Sequence, residues 1–194
     1  MRLCVYGASG DRLDPRYFEV AERLGVLLGE RGHSLIFGGG AGGLMGACAR
    51  GAAAAGAAIT GVAPRFFDEP GVIFPGCTDM IWTETMRERK AIMEEKAEAF
   101  VVLPGGIGTF EEFFETLTLK QLGRHGKPMA LLNTLGYYDA LDALLKKAAE
   151  GGFLSKNCFL LYALCDAPEA VLEHVETAPA LFGGVARLAD YAQN

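Results

Sequence analysis

Apolar runs alternate with amphipathic stretches along the whole chain, and three of the apolar runs end in glycine. LCVYG predicts a strand over 3–6, followed by a turn through Gly7-Ala8-Ser9-Gly10. Over 15–31, Phe18, Ala21, Leu24, Val26 and Leu28 fall mainly on one side, as a helix requires. Asp14 and Pro15 supply its N-cap and its N1 proline. SLIFGGG (34–40) is a second strand with its turn, 44–55 a second helix, and AITGVAP (58–64) a third strand. A Pro- and Gly-rich segment, 66–76, is a surface loop leading to strand-like MIWTE (80–84) and a helix over 85–96. AFVVLPGG (99–106) is apolar throughout, which predicts a central strand buried on both faces. Helix 109–122, strand PMALLN (128–133), helix 137–150, edge strand CFLLYAL (158–164), helix 167–177 and a ragged tail complete the chain.

Strands and helices alternating at these lengths predict an α/β fold: a Rossmann-like, doubly wound parallel sheet in three layers, α/β/α. Right-handed crossovers bring the glycine turns to one edge, at the carboxyl ends of the strands, where such sheets bind ligands. There is no internal repeat and no sign of a second domain. The 194 residues therefore read as one domain, with a C-terminal edge strand and helix at about 155–178.

Composition narrows the partners. The chain is 51% hydrophobic and its 26 glycines cluster at strand–helix junctions, so it is globular rather than low-complexity. A net charge of −6 excludes a general nucleic-acid binder, which needs a basic stripe, but leaves room for one small anion in a local pocket. Five cysteines without a C-x-x-C pair, and His33, His125 and His174 without ligand spacing, give no metal site and no disulfide framework. The N-terminus runs straight into the short strand 3–6, so no signal peptide is expected; the alanine-rich run 47–58 is broken by Arg50, Gly51 and Gly56, so no membrane segment is expected, and the cytoplasm is the default.

Three segments carry candidate chemistry. Pro104-Gly105-Gly106-Ile107-Gly108-Thr109-Phe110-Glu111-Glu112 follows the buried strand and opens a helix, so its glycines and free N–H groups suit an anion such as phosphate. Thr109 and Glu112 also match the capping box T-x-x-E, in which both side chains only close a helix end. Helical spacing makes Phe110, Phe113, Phe114 and Leu117 a core stripe and puts Glu112 on the opposite side, which allows either role. Gly38-Gly39-Gly40-Ala41-Gly42-Gly43 is a second such junction: a wall of the same pocket, or a tight turn under close packing. In Glu84-Thr85-Met86-Arg87-Glu88-Arg89-Lys90, the residues Met86, Arg89, Lys90 and Met93 share a helix face, either meeting an anion or forming a salt-bridged surface. Ser9 is a phosphate donor or an ordinary turn serine. Lys90 alone does not make a pyridoxal phosphate site, and no organic cofactor is expected.

Together these segments resemble the Lonely Guy family of phosphoribohydrolases, often labelled "possible lysine decarboxylase". The hallmark P-G-G-x-G-T-x-x-E stands unbroken from Pro104 to Glu112, and M-H-x-R-K stands as Met86-Arg87-Glu88-Arg89-Lys90. Leu44-Met45-Gly46, Gln121-Leu122-Gly123, Lys127-Pro128, Leu131-Leu132-Asn133 and Gly136-Tyr137-Tyr138 extend the likeness over about 2–154. Arg87 replaces the family's histidine, and Gly71 and Phe74 stand where many relatives carry a glutamate and a histidine. The resemblance implies a nucleotide-binding domain, a homodimer, and Arg89 with Glu112 as the catalytic pair. It implies that Lys90, Gly105, Gly106, Gly108, Thr109 and Thr118 line the site; Met86, Glu111, Gly39, Gly40 and Ser9 join them as candidate substrate contacts. The expected activity is hydrolysis of the N-glycosidic bond of a nucleoside 5′-monophosphate, AMP or N6-modified AMP. The alternative is a non-catalytic nucleotide- or cofactor-binding carrier of the same fold.

Overall fold

A computed structural model describes residues 1–181, so the end of the predicted tail, 182–194, lies outside the described residues. Strands β1 (Arg2–Tyr6), β2 (Ser34–Phe37), β3 (Ile59–Pro64), β4 (Asp79–Thr83), β5 (Ala99–Val102), β6 (Met129–Leu132) and β7 (Ala163–Cys165) are interleaved with helices. These are α1 (Pro15–Glu30), α2 (Gly43–Ala54), α3 (Met86–Lys96), α4 (Ile107–Gln121), α5 (Asp139–Glu150) and α6 (Pro168–Thr177). All strand pairs are parallel, in the order β4-β3-β2-β1-β5-β6-β7.

The period-two alternation of the strands divides the core. Leu3, Val5, Leu35, Phe37 and Val101 pack with α1, α2 and α6 on one face. Cys4, Tyr6, Ile36, Val62 and Phe100 pack with α3 and α4 on the other. Asp14 caps α1 as expected, its carboxylate accepting from the Arg16 N–H at 3.0 Å. The chain leaves β1 toward β2 on one side and returns beside β1 as β5, moving on to β6 on the other, so the carboxyl ends of β1 and β5 form the switch point. The two loops there are tied, the Ala8 N–H donating to the Pro104 carbonyl at 3.0 Å.

Two expected elements differ. The run 158–164 is not one strand: Ser155 accepts from the Asn157 N–H at 3.2 Å and starts a 3₁₀ turn at Lys156–Leu160, leaving only Ala163–Cys165 to pair with β6. Cys158, Leu161 and Tyr162 are apolar because they are buried under this turn, a demand that an apolar run shares with a strand. The loop after β3 holds a 3₁₀ turn, Arg65–Phe67, and one antiparallel bridge, Gly40 to Ile73. Its backbone is stitched to the second glycine junction by Ala41 N–H to Val72 O (2.9 Å) and Phe74 N–H to Gly39 O (2.8 Å).

Candidate active site

A cavity of about 610 Å3 opens at the switch point, lined by the loops after β1, β2 and β5, by the loop after β3, and by the starts of α3 and α4. Its charged centre is a buried ion pair. Arg89 on α3 and Glu112 on α4 are 6% and 7% exposed, with Nη1 donating to Oε1 at 2.8 Å. The Arg89 Nε donates to the carbonyl of Val62 at 3.1 Å, which fixes the guanidinium over the end of β3. Glycine at 38 makes this possible, since a Cβ there would lie 2.1 Å from Arg89 Nη2. Burial raises the pKa of Glu112 above its ordinary value, and the charge and hydrogen bond of Arg89 oppose that rise without cancelling it.

The helix-end reading of Thr109 and Glu112 does not survive. α4 begins at Ile107 with Gly106 as N-cap, so Thr109 sits at N3 and Glu112 in the second turn, facing Arg89. The capping box belongs instead to α3. The Thr85 Oγ1 accepts from the Glu88 N–H at 3.1 Å and the Glu88 carboxylate accepts from the Thr85 N–H at 3.3 Å. That box sets the first turn of α3, from which Met86 reaches the cavity while Arg89 and Met93 turn inward. The surface-helix reading of this segment therefore fails for Arg89.

The start of α4 is open. It has no side-chain cap, and the N–H groups of Gly106, Ile107, Gly108 and Thr109 have no protein partner among the described residues. A Cβ added at Gly106 or Gly108 would meet nothing within 4 Å, so no neighbour in the protein demands glycine there; the space belongs to the cavity. Gly105 differs, because its Cβ would lie 2.1 Å from the Thr109 Oγ1 folded beneath the loop. The start of α2 is closed. Its Gly43 N–H donates to the Asp11 carboxylate at 2.7 Å, and the N–H groups of Leu44 and Met45 donate to the Ala8 carbonyl at 2.9 and 3.3 Å.

Of the candidate residues, Arg89, Glu112, Gly106, Gly108, Thr109, Glu111, Met86, Gly40 and Ser9 line the cavity. Lys90, Gly105, Thr118 and Gly39 do not. Lys90 is drawn away by Glu111 and by Glu115, its Nζ lying 2.5 Å from the Glu115 carboxylate, and it clamps α3 to α4. Gly105 lies behind the loop, its carbonyl accepting from the Tyr137 hydroxyl at 2.5 Å. Thr118 is exposed further along α4. Gly39 holds a turn at φ +80° with its carbonyl bonded to Phe74. Of the lining residues not anticipated, Gly38, Met45 and Gly42 belong to recognised glycine segments, and Phe67, Val72 and Ile73 come from the loop after β3. Nothing in the apolar pattern of that loop marked it as a cavity wall. His125 is buried, with Nε2 3.0 Å from the Thr116 carbonyl.

An open parallel sheet with an uncapped helix start and a buried Arg–Glu pair at its switch point defines an α/β protein whose cavity has donors suited to a small anion. The model of the family described as "Possible lysine decarboxylase" matches residues 45–175. The chain is 39% identical over 156 residues to the cytokinin riboside 5′-monophosphate phosphoribohydrolase LOG2 of Arabidopsis thaliana, covering 80% of this chain and 73% of that protein. It is 37% identical over 179 residues to the phosphoribohydrolase LOG of Oryza sativa subsp. japonica, covering 92% and 74%. The chain belongs to this Lonely Guy family. Solved structures share its fold at lower identity. The molybdenum cofactor binding protein of Rippkaea orientalis matches with TM-score 0.69 at 20% identity over 91% of this chain and 95% of that one. The Moco carrier protein of Chlamydomonas reinhardtii matches with TM-score 0.67 at 22% identity over 90% and 94%.

Proposed function

We infer that this protein hydrolyses the N-glycosidic bond of a nucleoside 5′-monophosphate, of the AMP or N6-modified AMP type, releasing the free base and ribose 5-phosphate. The observation that carries the reading is the buried Arg89–Glu112 pair beside the open start of α4. The 5′-phosphate accepts from the N–H groups of 106–109, where the helix dipole favours an anion, and this remote binding orients the sugar. Cleavage separates the base nitrogen from C1′ and leaves positive charge on the sugar ring, which the Glu112 carboxylate stabilises. The same carboxylate takes a proton from the water whose oxygen bonds to C1′, while the departing base gains one proton in exchange. Burial makes Glu112 a stronger base than an exposed carboxylate, and Arg89 keeps it ionised and aimed.

Glu112→Gln tests this assignment. The amide still accepts from Arg89 but takes no proton, so base release from AMP falls by about 10²–10⁴-fold. AMP affinity stays near that of the parent. Adenine liberated at the parent rate would remove Glu112 from the chemistry. A carrier reading draws on the likeness in fold to cofactor carriers. It predicts AMP binding with no ribose 5-phosphate formed by the unaltered protein.

A further inference from the structure

Arg89 and Glu112 stand on two separate helices, so their meeting depends on what fixes α3 against α4. One tie lies beside the pair, where Lys90 meets Glu111 and Glu115. Those two carboxylates are about half exposed, and water weakens contacts of that kind. A second tie lies at the far end and comes from the turn between α4 and β6. There His125 Nε2 donates to the Thr116 carbonyl of α4 at 3.0 Å, and Lys127 Nζ donates to the Glu94 carbonyl of α3 at 2.5 Å. Thr116 stands about one turn beyond Glu112, and Glu94 about one turn beyond Arg89.

Both arms of this tie rest on β5. The His125 ring lies 5.5 Å from the fully buried Phe100 ring, and Lys127 Nζ lies 5.8 Å from the centre of the same ring. The imidazole is neutral by geometry. A carbonyl only accepts, so Nε2 carries the proton, while Nδ1 accepts from the Lys127 N–H at 3.3 Å. Burial lowers the pKa of His125 against the pull of the Thr116 bond, and the charges of Lys127 and Lys120 add to the fall. Thr116 carries the contact toward the site: its Oγ1 donates to the Glu112 carbonyl at 2.8 Å and lies 3.3 Å from the buried Tyr6 hydroxyl.

We propose that His125 and Lys127 are positioning residues, a bracket across α3 and α4 that sets the Arg89–Glu112 contact from behind. Neither lines the cavity, so both act through that pair and not on the substrate. The proposal rests on the phosphoribohydrolase reading. In that reaction the phosphate donors at 106–109 belong to α4 and move with it, so the bracket governs turnover more than binding. Displacing an aligned group by about 1 Å costs on the order of 10²-fold in rate.

Steady-state kinetics with AMP test the bracket one arm at a time. His125→Leu removes both ring contacts. Lys127→Met removes the arm to Glu94 and keeps an apolar stem over Phe100, so it serves where the first variant fails to fold. Each is expected to lower kcat by about 10²-fold with KM near the parent's. His125→Gln, whose amide still donates to Thr116, recovers most of kcat. Glu176→Gln, which weakens the contacts with Arg31 and His33 at the opposite edge of the sheet, is the control for stability alone. Added to Glu112→Gln, a bracket change leaves the residual rate where it was, because both act through one carboxylate. A folded Lys127→Met protein with the parent's kcat overturns the proposal, as does an equal loss in Glu176→Gln.

The titration of the Glu112 carboxyl, followed by carbon-13 NMR, reads the pair without turnover. As Arg89 recedes, its opposition to the effect of burial weakens, so the titration moves up in His125→Leu and Lys127→Met. An unmoved or lowered titration overturns the bracket whether or not AMP is cleaved. Failure of the unaltered protein to release base is a different result and removes the hydrolase reading.

Discussion

Adding one methyl group at Gly38 tests whether the placement of Arg89 governs the reaction. The backbone at 38 is outside the positive-φ region, so alanine is conformationally acceptable there. Its Cβ would lie 2.1 Å from Arg89 Nη2 and 3.2 Å from Cζ, where ordinary contact begins at 3.4 Å. The guanidinium has to retreat by about 1 Å, and its hydrogen bonds to Glu112 and Val62 stretch or break. Overpacking of this kind costs about 1–3 kcal/mol. For a chain of this size that lowers Tm by roughly 2–12 °C. Displacing an aligned group by about 1 Å costs on the order of 10²-fold in rate, so turnover should fall further than stability suggests. Gly10→Ala, outside the cavity lining, is the control, its Cβ meeting nothing within 4 Å. Initial rates of base release and melting curves of both variants decide the matter. A Gly38→Ala protein with the parent's rate, or equal losses in the two variants, would refute the idea that Arg89 must sit where it does.

The raised pKa of Glu112 also fixes the sign of a pH effect. Acting as the ionised base, Glu112 loses activity as pH falls through a value above the ordinary 4.5, so the acid limb of kcat/KM lies above that figure and is missing from the residual activity of Glu112→Gln. A rate that climbs steadily into acid would mean that the carboxyl works protonated. The loop before α4 is held from behind by two hydroxyls, Tyr137 to the Gly105 carbonyl at 2.5 Å and Tyr138 to the Leu103 carbonyl at 2.7 Å. Removing either donor leaves a buried carbonyl unpaired at about 1–3 kcal/mol. Tyr137→Phe and Tyr138→Phe should therefore raise KM for AMP by about tenfold or more with a smaller change in kcat, measured by steady-state kinetics; an unchanged KM would show that the loop holds its donors without them.

The layered fold was legible because strands and helices have different apolar periods and the three strands β1, β2 and β5 lead into glycine turns. The meeting of Arg89 with Glu112 was not legible from spacing, since 23 residues and a strand separate them; only the family likeness implied the pair. Local pattern left the role of the T-x-x-E segments open for a clear reason. Thr85-Met86-Arg87-Glu88 and Thr109-Phe110-Glu111-Glu112 both read T-x-x-E, yet only the first caps a helix. Before Thr109 stand Gly105 and Gly106, whose backbones let α4 begin at Ile107, and this moves Glu112 from a capping position into the second turn. The four-residue signature does not contain that information. Helix periodicity put Lys90 on the face of Arg89 but not beside the neighbours it meets, which are Glu111 and Glu115.

The two glycine junctions differ in how many N–H donors they leave free for an anion among the described residues. Both open a helix, and both helix starts carry the partial positive charge that attracts phosphate. At α2 the Asp11 carboxylate and the Ala8 carbonyl fill the donors, so that end is neutralised from within the chain and a second anion would meet a like charge. At α4 the donors stay unfilled and the glycines at 106 and 108 keep side chains out of the way. In the proposed reaction the phosphate is thereby directed to the helix whose next turn holds Glu112, rather than to its neighbour across β1. On that reading binding is coupled to chemistry: the element proposed to grip the phosphate also carries the carboxylate, so the distance between them is set by helix geometry and not by a flexible loop.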